Sequence, residues 1–273
     1  MQLACRQFTG DLWDEEKPDV ILIHGTGGDG SLWESQVGLL TREGYRCLVP
    51  ELRGHGLTHD PEEHTDLEVH VADVLETLEA CGARYPAIFI GHSLGAIISL
   101  QLAQDRPELF QQVLAVSLPG KVPPLVSTLF TWFLCMPFEA VRGTVLHKSL
   151  PIRYRILIDT ERHSLEQIVE HFSKISLVDR VHQIQCPVHL SVGRCDVVAP
   201  YIYVKKIHQA LPNSTLKIFE WAGHSCMDDR PGEFNDWLME KIRNGSGAAA
   251  RTGSARAGAA GLADQTVRTS PSA

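Results

Sequence analysis

The chain predicts an α/β fold, with a mostly parallel central sheet, helices on both faces and a helical insertion before the last strands. Three observations carry this. Short β-branched runs alternate with segments of helical length and pattern. Several runs are apolar throughout, which reads as buried strand. The residues that bear chemistry each fall just past the end of such a run, on the edge where a parallel sheet gathers positions distant in sequence.

The elements follow in order. Asp19-Val20-Ile21-Leu22-Ile23 is the first strand, spanning 19–24, and gives way to the glycine loop His24-Gly25-Thr26-Gly27-Gly28. A helix over about 31–42 leads to a strand at Arg46-Cys47-Leu48-Val49-Pro50. A helix over about 67–80 precedes a strand at 86–91, and the next helix runs to about Gln104. The strand Gln112-Val113-Leu114-Ala115-Val116-Ser117 comes next. Residues 120–185 then break the alternation, being too long for a simple connection and rich in helical patterns of their own. The closing units are a strand at 188–192, a helix near 201–211, a strand at 215–220 and a helix near 231–243. Residues 245–273 are almost entirely Gly, Ala, Ser, Thr and Arg without apolar periodicity, and predict a disordered tail. The core is thus expected at 1–119 and 186–244, interrupted by the helical insertion at 120–185.

Gly91-His92-Ser93-Leu94-Gly95 is the most informative segment. It follows the apolar run Ala87-Ile88-Phe89-Ile90 directly and opens the helix-like Ala96-Ile97-Ile98-Ser99-Leu100. A G-x-S-x-G pentapeptide at a strand-to-helix corner is a nucleophile-elbow candidate, with glycines admitting the close approach of strand and helix. The N–H of Leu94, at the start of that helix, is a candidate donor to a developing oxyanion. Serine needs a neighbouring base, and His224 is the candidate, following the strand Thr215-Leu216-Lys217-Ile218-Phe219-Glu220 and Gly223. Asp196 follows Pro187-Val188-His189-Leu190-Ser191-Val192 and Gly193-Arg194-Cys195, and would orient the histidine. After the strand at 112–117 the chain reads Leu118-Pro119-Gly120-Lys121, without a carboxylate. His92 is expected to point away from the line of attack, and His55 to lie in a glycine turn. Asp228 and Asp229 are expected to cap a helix.

These segments, with Arg53-Gly54-His55-Gly56, Arg106-Pro107-Glu108-Leu109 and Pro231-Gly232-Glu233-Phe234, resemble the α/β-hydrolase superfamily, in particular its small cap-bearing serine esterases. The resemblance covers roughly residues 18–244, and the order Ser, Asp, His is the one that family uses. It implies a serine hydrolase cleaving a carboxylic ester of a small or medium apolar substrate, with a catalytic set of Ser93, Asp196 and His224. It also implies that Thr26 supplies the second oxyanion donor and that residues 120–185 form a cap. Within that cap Trp132, Phe133 and Met136 are the candidate pocket lining, although packing onto the core would account for them equally. Arg142, Lys148, Arg153 and Arg155 read as a solvated face. A thioesterase or a lactonase would use the same residues, and a slow-turnover ligand receptor on the same fold is the reading from another class. Members of the family usually open with an antiparallel pair of strands, whereas here only Gln2 to Thr9 precedes the acidic turn from Asp11 to Pro18.

Composition narrows the partners. The tail carries Arg251, Arg256 and Arg268 against Asp264, so a net charge of −8 leaves −10 on residues 1–244, which argues against a nucleic-acid footprint. The glycine loop lacks both the G-K-[ST] ending and the G-x-G-x-x-G spacing of nucleotide sites, and no organic cofactor or metal is called for. No apolar stretch reaches the roughly 18 to 20 residues that span a bilayer, and no apolar signal core follows Met1, so stable membrane insertion is not expected and the cytoplasm is. Seven cysteines without a C-x-x-C pair read as reduced thiols. The expected state is monomer or homodimer.

Overall fold

The computed structural model describes residues 1–120, 128, 138–150, 152–172 and 181–260. Seven strands form one sheet in the order β1-β3-β2-β4-β5-β6-β7. They are β1 (Cys5–Phe8), β2 (Val20–Ile23), β3 (Cys47–Pro50), β4 (Ala87–His92), β5 (Phe110–Val116), β6 (Val188–Gly193) and β7 (Ser214–Phe219). Only β1 runs antiparallel, pairing Cys5 with Pro50 and Phe8 with Cys47; every other pair is parallel. The amino-terminal edge among the described residues is therefore this one short strand.

The helices are α1 (Glu34–Arg42), α2 (Leu67–Ala80), α3 (Leu94–Asp105), α4 (Phe138–Val141), α5 (Val145–Ser149), α6 (Ile152–Asp159), α7 (Arg162–Phe172), α8 (Tyr201–Ala210), α9 (Cys226–Asp229) and α10 (Pro231–Ala260). Successive strand residues point to opposite faces, and both faces are covered. Ile21, Ile23, Phe89, Val113, Ala115, Leu190 and Val192 pack with Val74 and Leu78 of α2, Ile97 and Leu100 of α3 and Val204 and Ile207 of α8. Val20, Leu22, Val49, Ile88, Ile90, Leu114 and Val116 pack on the other side with Val37 and Leu40 of α1 and Phe234, Trp237 and Ile242 of α10. Burial on both sides is why the central strands read as unbroken apolar runs.

Two segments differ from the sequence reading. The helix expected at 31–42 opens as a 3-10 turn over Gly30–Trp33, because Asp29 accepts hydrogen bonds from the Ser31 N–H and hydroxyl. The final helix does not stop at 243 but continues to Ala260, through residues assigned to the tail. Alanine-rich sequence propagates a helix already nucleated by the docked turns before it. Helices α4 to α7 all lie between β5 and β6, the stretch where the helical insertion was expected. Among the described residues no helix is long and apolar enough to cross a membrane.

Candidate active site

Ser93 stands between β4 and α3 with φ 51° and ψ −111°, a conformation that L-residues avoid and that is held only where the surroundings over-determine it. The surroundings do so. A Cβ on Gly91 would run into the Gly95 carbonyl, and one on Gly95 into the carbonyl oxygens of Ile23 and His24. The Ser93 N–H donates to the Val116 carbonyl at 2.9 Å, tying the corner to β5. Leu94 is the first residue of α3, so its N–H has no partner within the helix and lies at the positive end of the helix dipole.

Asp196 follows β6 and is 4% exposed. Its Oδ1 accepts from the N–H groups of Val198 at 2.9 Å and Ala199 at 2.8 Å, and its Oδ2 accepts from His224 Nδ1 at 2.9 Å. Burial pushes this carboxyl up, but the hydrogen bond and charge of His224 with the two backbone donors outweigh it and hold the pKa below its usual value. An ionised carboxylate can only accept, so Nδ1 of His224 carries a proton and a neutral ring keeps its lone pair on Nε2.

The loop bearing His224 is fixed by contacts that the sequence did not reveal. His92 does not merely point away: its Nε2–H donates to the His224 carbonyl at 2.9 Å, and the two rings lie 4.8 Å apart. Gly193 lies so close to the carbonyls of Ala222 and Gly223 that a Cβ would overlap both. Asp229, expected as a cap, instead accepts the Gly223 N–H at 2.8 Å.

Thr26 lies in the glycine loop after β2, where its hydroxyl is buried and has no hydrogen-bond partner among the described residues. The loop meets the elbow at Gly25, where a Cβ would approach the Ser93 Cβ to 2.8 Å and His92 Nδ1 to 2.9 Å. Leu157 of α6 lies directly over Gly27, which has φ 69°. The structure thus gathers Thr26, Ser93 and Leu94 at one corner and pairs Asp196 with His224 beside His92. Trp132, Phe133 and Met136 lie outside the described residues. Of the basic set, Arg142 donates to the carbonyls of Ile158 and Thr160 and closes the end of α6.

Three further histidines are buried beneath this corner. Burial pushes His24 down to about 4, His55 to about 3 and His70 to about 4. An unfolded histidine titrates near 6.5, so on acidification the unfolded chain takes up protons that these folded sites refuse. Their contribution is complete above about pH 6.5 and is lost as pH falls toward 4, each group adding a slope of up to about 1.4 kcal/mol per pH unit. Denaturant midpoints measured from pH 7 to pH 5 should fall steadily; a flat profile would contradict neutral burial of the three.

A sequence profile described as "Alpha/beta hydrolase family" matches residues 20–237. The "Putative carbamate hydrolase RutD" of Enterobacter cloacae is 27% identical over 248 residues, which cover 82% of this chain and 91% of that protein. The esterase EaEST of Exiguobacterium antarcticum superposes with a TM-score of 0.75 at 17% identity, over 88% of this chain and 95% of its own. The enol-lactonase of Burkholderia xenovorans LB400 superposes with a TM-score of 0.73 at 21% identity, over 87% of this chain and 95% of its own.

Proposed function

The chain belongs to the alpha/beta hydrolase family, and from that premise we propose that it is a serine hydrolase that cleaves a carboxylic ester of a small or medium apolar substrate through an acyl-enzyme. The observation that carries this reading is the His224 Nδ1 to Asp196 Oδ2 hydrogen bond of 2.9 Å, on a loop whose His224 carbonyl is held by His92, the residue before the strained, glycine-flanked Ser93.

Ser93 Oγ attacks the ester carbonyl while His224 Nε2 takes its proton, and the buried carboxylate of Asp196 stabilises the imidazolium that results. The oxyanion is received by the N–H groups of Thr26 and Leu94, each such donor being worth about 3 kcal/mol in the transition state. The Thr26 hydroxyl, buried and without a hydrogen-bond partner among the described residues, is available as a further donor. Collapse expels the alcohol, which takes its proton from His224. Water then enters, His224 removes its proton, and attack on the acyl-enzyme releases the acid and restores Ser93. The cap, through Leu157 over Gly27, limits the room above the acyl group. The apolar side chain at that point favours an uncharged acyl chain.

The test is covalent labelling of the wild type with a fluorophosphonate, mapped by mass spectrometry, followed by p-nitrophenyl esters of graded acyl length. A thioester, a lactone and a carbamate complete the panel, the last for the activity that the Enterobacter relative is named after. Stoichiometric label on Ser93 with fastest turnover on an ester supports the reading. A thioester or lactone turned over faster than any ester moves the substrate class. A protein that neither labels nor turns over anything is instead a ligand receptor on this fold.

A further inference from the structure

The turn after β3 carries a histidine that the reaction above does not use. His55 is fully buried, and its Nδ1 lies 2.6 Å from the Arg53 carbonyl while its Nε2 lies 3.0 Å from the Gly27 N–H. A carbonyl can only accept and an amide N–H can only donate, so the proton sits on Nδ1 and Nε2 is the acceptor. His24 repeats the pattern in the opposite direction. Its Nδ1 meets the Gly25 carbonyl at 2.8 Å and its Nε2 receives the Leu52 N–H at 3.0 Å. The two rings lie 5.2 Å apart and cross-brace the loop at 24–28 against the turn at 52–55.

Thr26 lies between the two braced glycines. Gly25 is pressed against Ser93 and Gly27 is held at φ 69°, so the peptide between them has one orientation while His55 grips Gly27. The same turn is also held from outside. The Gly54 carbonyl accepts the Glu161 N–H at 2.8 Å, and a Cβ on Gly54 would run into Ser164 of α7.

We propose that His55 is the positioning residue of the oxyanion hole: its neutral Nε2, bound to the Gly27 N–H, aims the Thr26 N–H and hydroxyl at the oxygen of the tetrahedral intermediate. This rests on the serine-hydrolase reading. Burial keeps the ring neutral wherever His224 can act as a base, since His55 stays unprotonated down to about 3.

Two variants test it. His55→Ala removes the acceptor, whereas His55→Gln sets an amide oxygen close to where Nε2 was. Four quantities are read: kcat and KM on a p-nitrophenyl ester, the rate of fluorophosphonate labelling, thermal unfolding, and exchange of the Gly27 amide. The expected result for His55→Ala is a folded protein with kcat down about 10- to 100-fold and KM within about twofold. Labelling slows in parallel, because the phosphonyl oxygen uses the same donors, and the Gly27 amide exchanges faster. His55→Gln recovers most of kcat and restores Gly27 protection. A folded His55→Ala within about twofold of wild-type kcat overturns the proposal, as does a folded His55→Gln that protects Gly27 without recovering kcat. Should His55→Ala fail to fold, His55→Gln decides by the same criterion. A wild type with a freely exchanging Gly27 amide refutes the positioning, whereas one that takes no label and cleaves no ester refutes the hydrolase reading instead.

Discussion

Ser93→Ala takes no fluorophosphonate and hydrolyses esters with kcat lower by roughly 10⁵ to 10⁶, the scale seen when a catalytic serine is removed from an enzyme of this chemistry. Alanine leaves the Thr26 and Leu94 N–H groups and His224 in place, so the residual rate is water attack assisted by those donors and by substrate binding. It also inherits φ 51°, hence the same backbone strain, and its unfolding temperature stays close to that of the wild type. Ser93→Gly separates the two roles of this position. Glycine adopts positive φ without a Cβ penalty, so this variant is equally inactive but more stable by about 1 to 2 kcal/mol. That corresponds to a rise of roughly 2 to 6 °C for a chain of this size. Calorimetry on the three proteins checks it. A glycine variant no more stable than alanine would mean that the elbow holds no strain at this residue.

The second large effect belongs to Asp196→Asn, which lowers kcat by about 10⁴ with little change in KM. The reason lies in the two oxygens. Oδ1 accepts two backbone N–H groups, from Val198 and Ala199, and an amide nitrogen cannot replace it there. The amide therefore keeps its oxygen on that side and turns its NH₂ to His224. Nδ1 must then accept, the ring proton moves to Nε2, and the lone pair that should receive the Ser93 proton is gone. Nitrogen-15 NMR of the histidine side chains reads the tautomer directly, and steady-state kinetics reads its cost. A variant with near-wild-type kcat would remove Asp196 from the mechanism.

The sheet was largely legible because its central strands are buried on both faces and so announce themselves as continuous apolar runs bounded by turns. Val20–Ile23, Ala87–His92 and Val188–Gly193 fall within a residue or so of where composition places them. The corners that carry Ser93 and His224 were legible for a related reason, since such close approaches demand glycine and glycine is visible. The bracing residues were not. The bond from His92 reaches 132 residues along the chain to the His224 carbonyl, and no local pattern encodes such a reach. His55 looked like an ordinary turn residue because its partner, the Gly27 N–H, is backbone and leaves no mark in the sequence. Trp132, Phe133 and Met136 rest on apolar composition alone.

The position of the helical insertion has a consequence for how such a chain diversifies. Val113 pairs with Val188 across it, so the sheet closes only when a long segment returns to the same edge. Closure entropy rises with the logarithm of loop length, and doubling such a segment costs only about 0.6 kcal/mol. Helices there can lengthen, shorten or be exchanged wholesale while the strands keep their register. On the hydrolase reading proposed above, selection can therefore change what is bound through this one stretch, leaving the corners that carry Ser93, Asp196 and His224 as they are.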